Sequence, residues 1–322
     1  MVPVIQIWNL AGIKFSVNKS NLVNCRPYSY QEKARMTNAV EIKNLCKDYD
    51  KLVGLNNITL NVQEGTIYGL IGPNGAGKTT LIKALVGSLK PTTGSVSVLG
   101  LNPLRDRWKL RKQIGYMPQT PALYDDLSAK KNILFFGSAQ SNTGLEKKTN
   151  DILEFAELTN RANDLVRTFS GGMKKRVSLC CALLHQPKIV FLDEPTAAID
   201  PHLKLQSWKL FRKLANDGVT LFISTHLMDE ALLCDKVAIL RNGEILIVDT
   251  PQIILERGKT TLTISEKGET KESIIDSTPD SLAKELQRFG LKENITCITL
   301  HPDTIESIVL TIISEKEKQE KK

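Results

Sequence analysis

Residues 72–79 read Gly-Pro-Asn-Gly-Ala-Gly-Lys-Thr, and this loop with its flanks constrains the fold more than any other part of the chain. Ahead of it, Thr66 to Ile71 is short, mostly apolar and bounded by Glu64-Gly65, which predicts a strand. After it, Thr80 to Val86 places Leu81, Ile82 and Leu85 at helical spacing. Strand, glycine loop and helix in that order make an anion cradle. Gly72, Gly75 and Gly77 carry no Cβ, so several backbone N–H groups can turn inward on one phosphate. The helix that follows presents its positive N-terminal end to the same anion. Lys78 can reach the β- and γ-phosphates as a mobile point charge, and Thr79 offers a hydroxyl to Mg²⁺. With Pro73, Asn74, Ala76 and Thr80, these positions are the expected nucleoside triphosphate site. The plainer alternative is a glycine-rich turn before an ordinary helix. Four constrained positions arise by chance in a chain of this length in roughly one case in a hundred at average composition, which favours the site.

A second run, Ile189 to Leu192, is wholly apolar and ends in Asp193-Glu194. It predicts a central parallel strand covered on both faces. Ligands of open α/β sheets gather at the carboxyl ends of strands, where these acids emerge. Asp193 can hold Mg²⁺ through water, and Glu194 can orient or deprotonate an attacking water. The alternative is a strand capped by two solvated acids. Between the two motifs lies Phe169-Ser170-Gly171-Gly172-Met173-Lys174-Lys175-Arg176. Ser170, Gly171 and Gly172 precede an amphipathic run (Met173, Val177, Cys180, Cys181, Leu184), so they sit at a helix N-terminus. That is either a second anion site or a serine N-cap with a flexible Gly-Gly.

This stretch resembles the signature sequence of the ABC (ATP-binding cassette) ATPases, and the other stations of that family follow in order. Gly115-Tyr116-Met117-Pro118-Gln119 resembles the Q-loop, which implies that Gln119 reaches Mg²⁺ and the water and reports to a membrane partner. Ala197-Ala198-Ile199-Asp200 resembles the D-loop, which crosses to a second subunit. His226, after the apolar strand Val219 to Ser224 and Thr225, matches the switch histidine that contacts the γ-phosphate. Tyr49 lies ahead of the loop at a distance that suits the aromatic residue stacked on adenine. The series covers residues 40 to about 250. It implies that Ser170 to Gly172 of one subunit close on the phosphate held by the other, so that two chains, alike or paralogous, sandwich two ATPs.

Two residues depart from the family pattern. Met173 stands where Gln is commonest, and Ala198 stands where the D-loop more often has Gly. Ser-Gly-Gly-Met followed by basic residues resembles the daunorubicin- and drug-resistance branch. Its members partner separate membrane permeases in exporters of drug-like, lipid or other hydrophobic cargo.

Composition bears on partners and on location. No uncharged apolar run approaches the roughly 20 residues that span a bilayer. The first thirteen residues lack charge, but Gln6 and Asn9 interrupt them and no basic segment precedes them, so a signal peptide is not expected. The expected place is peripheral, at the cytoplasmic face of the membrane, against a transmembrane permease that is another polypeptide. Half of the net charge of +8 comes from residues 1–35, and no basic run interleaved with aromatics occurs elsewhere, so no nucleic acid is expected. The six cysteines show neither metal-ligand nor redox spacing and suit a reducing compartment.

The expected fold is α/β, a P-loop NTPase of the ABC cassette type. The resemblance implies a mostly parallel sheet core, an antiparallel β subdomain and a helical signature subdomain. Residues 1–36 lack periodicity and read as an extension, untranslated or disordered, with Met36 as the expected start. Residues 37–257 read as the ATPase domain. Residues 258–314, with the order β-β-α-β-α, read as a small α+β C-terminal domain. Residues 315–322 read as a charged tail that frays.

Overall fold

The computed structural model describes residues 6–8, 14–16, 37–49, 52–139, 144–266, 269–290 and 295–320. Of the N-terminal extension, Gln6–Trp8 (β1) and Lys14–Ser16 (β2) form a two-stranded antiparallel pair. The rest of the extension, and with it the expected start at Met36, lies outside the described residues. The chain divides into two compact units, residues 35–250 and residues 251–322 with 1–34.

The larger unit opens with β3 (Asn38–Tyr49) and β4 (Leu52–Gln63), long antiparallel partners. Then come β5 (Ile67–Ile71), α1 (Lys78–Leu85) and β6 (Thr93–Val98), the last pairing antiparallel with β3. After α2 (Arg107–Arg111), β7 (Ile114–Met117) enters a six-stranded sheet. A helical region follows: α3 (Ala129–Ser138), α4 (Leu145–Phe155) and α5 (Gly171–Leu183). Ser128 caps α3 by accepting from Lys131 N, which satisfies one of the free amides of the first turn and starts the helix there. Ala129, Ile133, Leu153, Phe169, Val177 and Leu184 pack as a core of their own for these helices.

The chain returns through β8 (Ile189–Asp193), α6 (Pro201–Asn216), β9 (Thr220–Thr225), β10 (Lys236–Arg241) and β11 (Glu244–Asp249). The sheet order is β11-β10-β5-β9-β8-β7, parallel except for the β10–β11 hairpin. That hairpin turns on Asn242-Gly243, both at positive φ, as a tight two-residue turn requires. Every residue of β5, β8 and β9 is buried, which is why these strands are built mainly from apolar residues. Parallel register aligns their exits: Asp193 pairs with Ser224, Thr225 with Ile71, and Leu192 with Met117. The residues after Met117, Ile71, Asp193 and Thr225 therefore leave the sheet along one edge.

The smaller unit contains α7 (Pro251–Glu256), β12 (Lys259–Glu266), β13 (Glu269–Asp276), α8 (Pro279–Phe289), β14 (Ile295–Pro302) and α9 (Ile305–Glu320). Its sheet is antiparallel in the order β13-β12-β14, and Leu262, Ile264, Ile305, Ile308 and Val309 are buried. α9 continues through Glu320, past the point where the sequence suggests a fraying tail. The stretch has no Gly or Pro, and its Glu, Lys and Gln residues are strong helix formers.

Candidate functional site

The glycine loop sits between the end of β5 and the start of α1, and its glycines are there for separate reasons. A Cβ on Gly72 would lie 2.1 Å from the Leu240 carbonyl oxygen, and one on Gly77 would lie 2.6 Å from the Gly54 oxygen. Gly75 has open space but a φ of +81°, and Gly77 a φ of +107°. The loop is tied down on both sides: Gly72 N donates to Thr225 O at 3.2 Å, and Gly243 N donates to Ala76 O at 3.0 Å. Pro73, Asn74 and Gly75 are exposed, and Thr79 and Thr80 are half-buried at the helix start.

Lys78, only 5% exposed, folds back over this loop. Its ammonium donates to the Gly72 carbonyl at 2.7 Å and the Pro73 carbonyl at 3.1 Å. It also stands 3.4 Å from Glu194 Oε1. Glu194 is itself buried and adopts a left-handed φ of +50°. Its other carboxylate oxygen lies 3.1 Å from His226 Nδ1, and its amide donates to Ser224 O and Oγ. One carboxylate thus faces the loop lysine on one side and the histidine on the other.

Asp193 is 1% exposed. Ser224 Oγ donates to its Oδ1, while Oδ2 is buried without a protein partner. A buried carboxylate oxygen left unpaired calls for a ligand or a water. Among the described residues no cluster of three or more His, Cys, Asp and Glu could cage a metal. A single buried carboxylate with one oxygen unpaired suits Mg²⁺, which keeps several waters and binds substrate phosphate. Beside it, burial and the Asp193 charge push the Tyr116 hydroxyl up to about 12, so the phenol stays neutral.

The other expected residues are placed less directly. Gln119 is exposed two residues past β7 and makes no hydrogen bond to either acid. Tyr49, 42% exposed, ends β3 with Lys47 Nζ 5.0 Å from its ring centroid. Its ring packs on Gly54, whose carbonyl abuts Gly77, so a chain of packed groups joins it to the loop. Ser170 caps α5 by accepting from Met173 N at 3.3 Å. A Cβ on Gly171 would meet nothing within 4 Å, so this first turn is open. Ala198 takes a φ of +56°, the conformation a glycine would favour there.

The ABC transporter family model matches residues 55–197, the span that runs from β4 through the loop, the α5 turn and the acids. The Nod factor export ATP-binding protein I of Burkholderia lata is 37% identical over 269 residues, covering 81% of this chain and 84% of that protein. The chain belongs to the ABC transporter family.

A linearmycin resistance ATP-binding protein of Bacillus subtilis is 34% identical over 71% of this ABC chain and 75% of its own length. The match to ABC transporter G family member 20 of Dictyostelium discoideum, 38% identical over 74% of this chain, spans 34% of that longer protein. Among solved structures, a dimeric post-hydrolysis ATP-binding cassette bound to ADP and Pi superposes with a TM-score of 0.60 at 30% identity. The superposition covers 66% of this chain and 98% of the other. This ABC chain is an ATP-binding and ATP-hydrolysing transporter subunit with export-type relatives. No described helix is long and apolar enough to cross a membrane.

Sequence reasoning named these stations but passed over Ser224 and Lys175. Ser224 is the neighbour of Asp193 in the sheet and bonds to both acids. A hydroxyl directly after the apolar run Leu221 to Ile223 was the available signal. Lys175 donates to the Glu194 and Ala197 carbonyls, and in the sequence it is one of three consecutive basic residues with nothing to single it out.

Proposed function

We propose that this chain drives export through a separate membrane permease, lying peripherally on its cytoplasmic face and working as a pair with a second ATPase subunit. The observation that carries the reading is the meeting of Lys78, Glu194 and His226 around one buried carboxylate, beside a phosphate-sized loop. Lys78 and the loop amides hold the β- and γ-phosphates of ATP. Thr79, Asp193 and Gln119 would hold Mg²⁺ through oxygen donors and water, and the ion would neutralise charge on the phosphates. Glu194 takes a proton from a water that attacks the γ-phosphorus in line. The bond to the β–γ bridging oxygen breaks, giving ADP and phosphate with no covalent intermediate. His226, bonded to Glu194, orients that carboxylate and meets the γ-phosphate. Tyr49 stacks on adenine by its ring face.

The start of α5 supports action on the phosphate of a partner, because Gly171 is exposed and a Cβ on it would meet no described atom within 4 Å. Closure on ATP and reopening after hydrolysis would then move two permease halves between conformations. The cargo class is that of the resistance and export branch, drug-like, lipid or otherwise hydrophobic.

Steady-state phosphate release by the purified chain and by Glu194→Gln tests the reading. The wild type is expected to hydrolyse ATP, and the variant to bind ATP while losing at least about a hundredfold in kcat. Equal rates in the two proteins would remove Glu194 from the chemistry.

A further inference from the structure

The start of α5 is packed against the segment that follows the acidic strand. A Cβ on Gly172 would lie 3.1 Å from Leu203 Cδ1 and 3.2 Å from Ile199 Cγ2, so the two backbones run close together. One turn further along α5, Lys175 reaches across this seam. Its ammonium donates to the Glu194 carbonyl at 2.8 Å and to the Ala197 carbonyl. Next to it, Arg176 donates to Gln206 Oε1 on α6.

The two carbonyls belong to a turn with an unusual backbone. Glu194 has a φ of +50° and Ala198 a φ of +56°, and neither is glycine. Such conformations persist only where the surroundings over-determine them. At Glu194 the amide is held by Ser224 and the carboxylate by Lys78 and His226. Lys175 is the side chain that holds its carbonyl. Burial lowers the pKa of this ammonium from the ordinary lysine value, and the Glu194 and Glu230 charges pull it back up. Glu230, fully buried, is also bonded to Thr196 in the same turn. The cation is therefore bonded to two carbonyls, and it takes no part in the phosphate cradle.

We propose that Lys175 is a positioning residue for hydrolysis: by holding the Glu194 and Ala197 carbonyls to α5, it fixes where the Glu194 carboxylate stands. The inference rests on the reading of Glu194 as the residue that handles the water. It also ties the acid of one site to the Ser170–Gly172 turn of the same chain. A displacement of α5 against a partner's nucleotide is thereby carried to the acid in its own site.

Lys175→Met keeps the aliphatic stem and loses both hydrogen bonds, whereas Lys175→Arg keeps charge and donors. Hydrolysis is measured on the full chain, together with the affinity for a fluorescent trinitrophenyl-ATP. In Lys175→Met, kcat is expected to fall about tenfold or more while KM and the fluorescent-nucleotide Kd stay within about twofold. Lys175→Arg is expected to recover about a third or more of the wild-type kcat. The proposal is overturned by an unchanged kcat in Lys175→Met, by a loss of nucleotide affinity equal to the loss of kcat, or by Lys175→Arg being as impaired as Lys175→Met. Should Lys175→Met show no cooperative melt, Lys175→Gln is read by the same criteria and decides the matter. Glu194→Gln separates this outcome from failure of the underlying reading. If that variant is as fast as wild type, the role of Glu194 fails, whereas a slow Glu194→Gln beside a fast Lys175→Met fails Lys175 alone.

Discussion

Tyr49 shows how much one side chain can be asked to do. Its ring is 42% exposed, backed by Gly54, with the Lys47 ammonium over it at 5.0 Å from the centroid. Stacking uses the ring and not the hydroxyl, so Tyr49→Phe should bind ATP as the wild type does. Tyr49→Ala should lose about 1–2 kcal/mol, the usual worth of a base–aromatic stack. Isothermal titration with ATP measures both, and equal affinity in the alanine protein would assign the stack elsewhere. At this scale the sequence singled out Lys78, Glu194 and His226 by type and place, and the three side chains meet in the structure. The sequence could not announce Ser224 or Lys175, because a hydroxyl in a strand and a lysine among lysines look alike until the sheet register and the helix packing bring them to the acids.

Among the elements, the loop between β5 and α1 and the first turn of α5 hold three kinds of glycine. Gly72→Ala would drive a methyl into the Leu240 carbonyl of β10, a backbone atom that no rotamer change can move. It should destabilise the protein by about 1–3 kcal/mol, the typical cost of overpacking. Gly75→Ala meets no atom but keeps a φ of +81°, so it should cost roughly 1–2 kcal/mol through backbone strain alone. Gly171→Ala has neither problem and should be near neutral. Urea midpoints of the three variants test this order, and a neutral Gly72→Ala would mean that the loop and β10 are not in contact. Several elements were legible: the apolar runs before the glycine loop, the two acids and His226 are buried strands, and Ser170 marks the helix start it caps. The end of the last helix was not, because charged helix formers such as those of 315–320 serve equally in a tail and in an exposed helix.

At the scale of the whole molecule, the proposed completion of the ATP site by a second chain would link nucleotide binding to association. Each bound ATP contributes at most about 2.7 kcal/mol to the dimer at 100 times its dissociation constant, so two sites contribute roughly 5 kcal/mol. That corresponds to up to about four decades in the dimerisation constant, less any binding to the monomer. Glu194→Gln, which retains ATP, should accumulate as a dimer on a sizing column run with ATP. Gly171→Asp added to it would set a carboxylate against the partner's γ-phosphate and should leave an ATP-bound monomer. A Glu194→Gln protein that stays monomeric at saturating ATP, or a double variant that still dimerises, would sink the shared site.

The tethering of the phosphate loop has a further consequence for the energetics of capture. Gly72 is bonded to the end of β9, Ala76 to the turn of the β10–β11 hairpin, and Gly77 is wedged against β4. Each of these partners belongs to a sheet that must form for the unit to fold at all. The conformational entropy of ordering the loop, about 1–2 kcal/mol per residue, is therefore surrendered during folding and not at the encounter with nucleotide. The cradle is pre-organised, and its amides spend their affinity on the anion without first having to gather themselves around it.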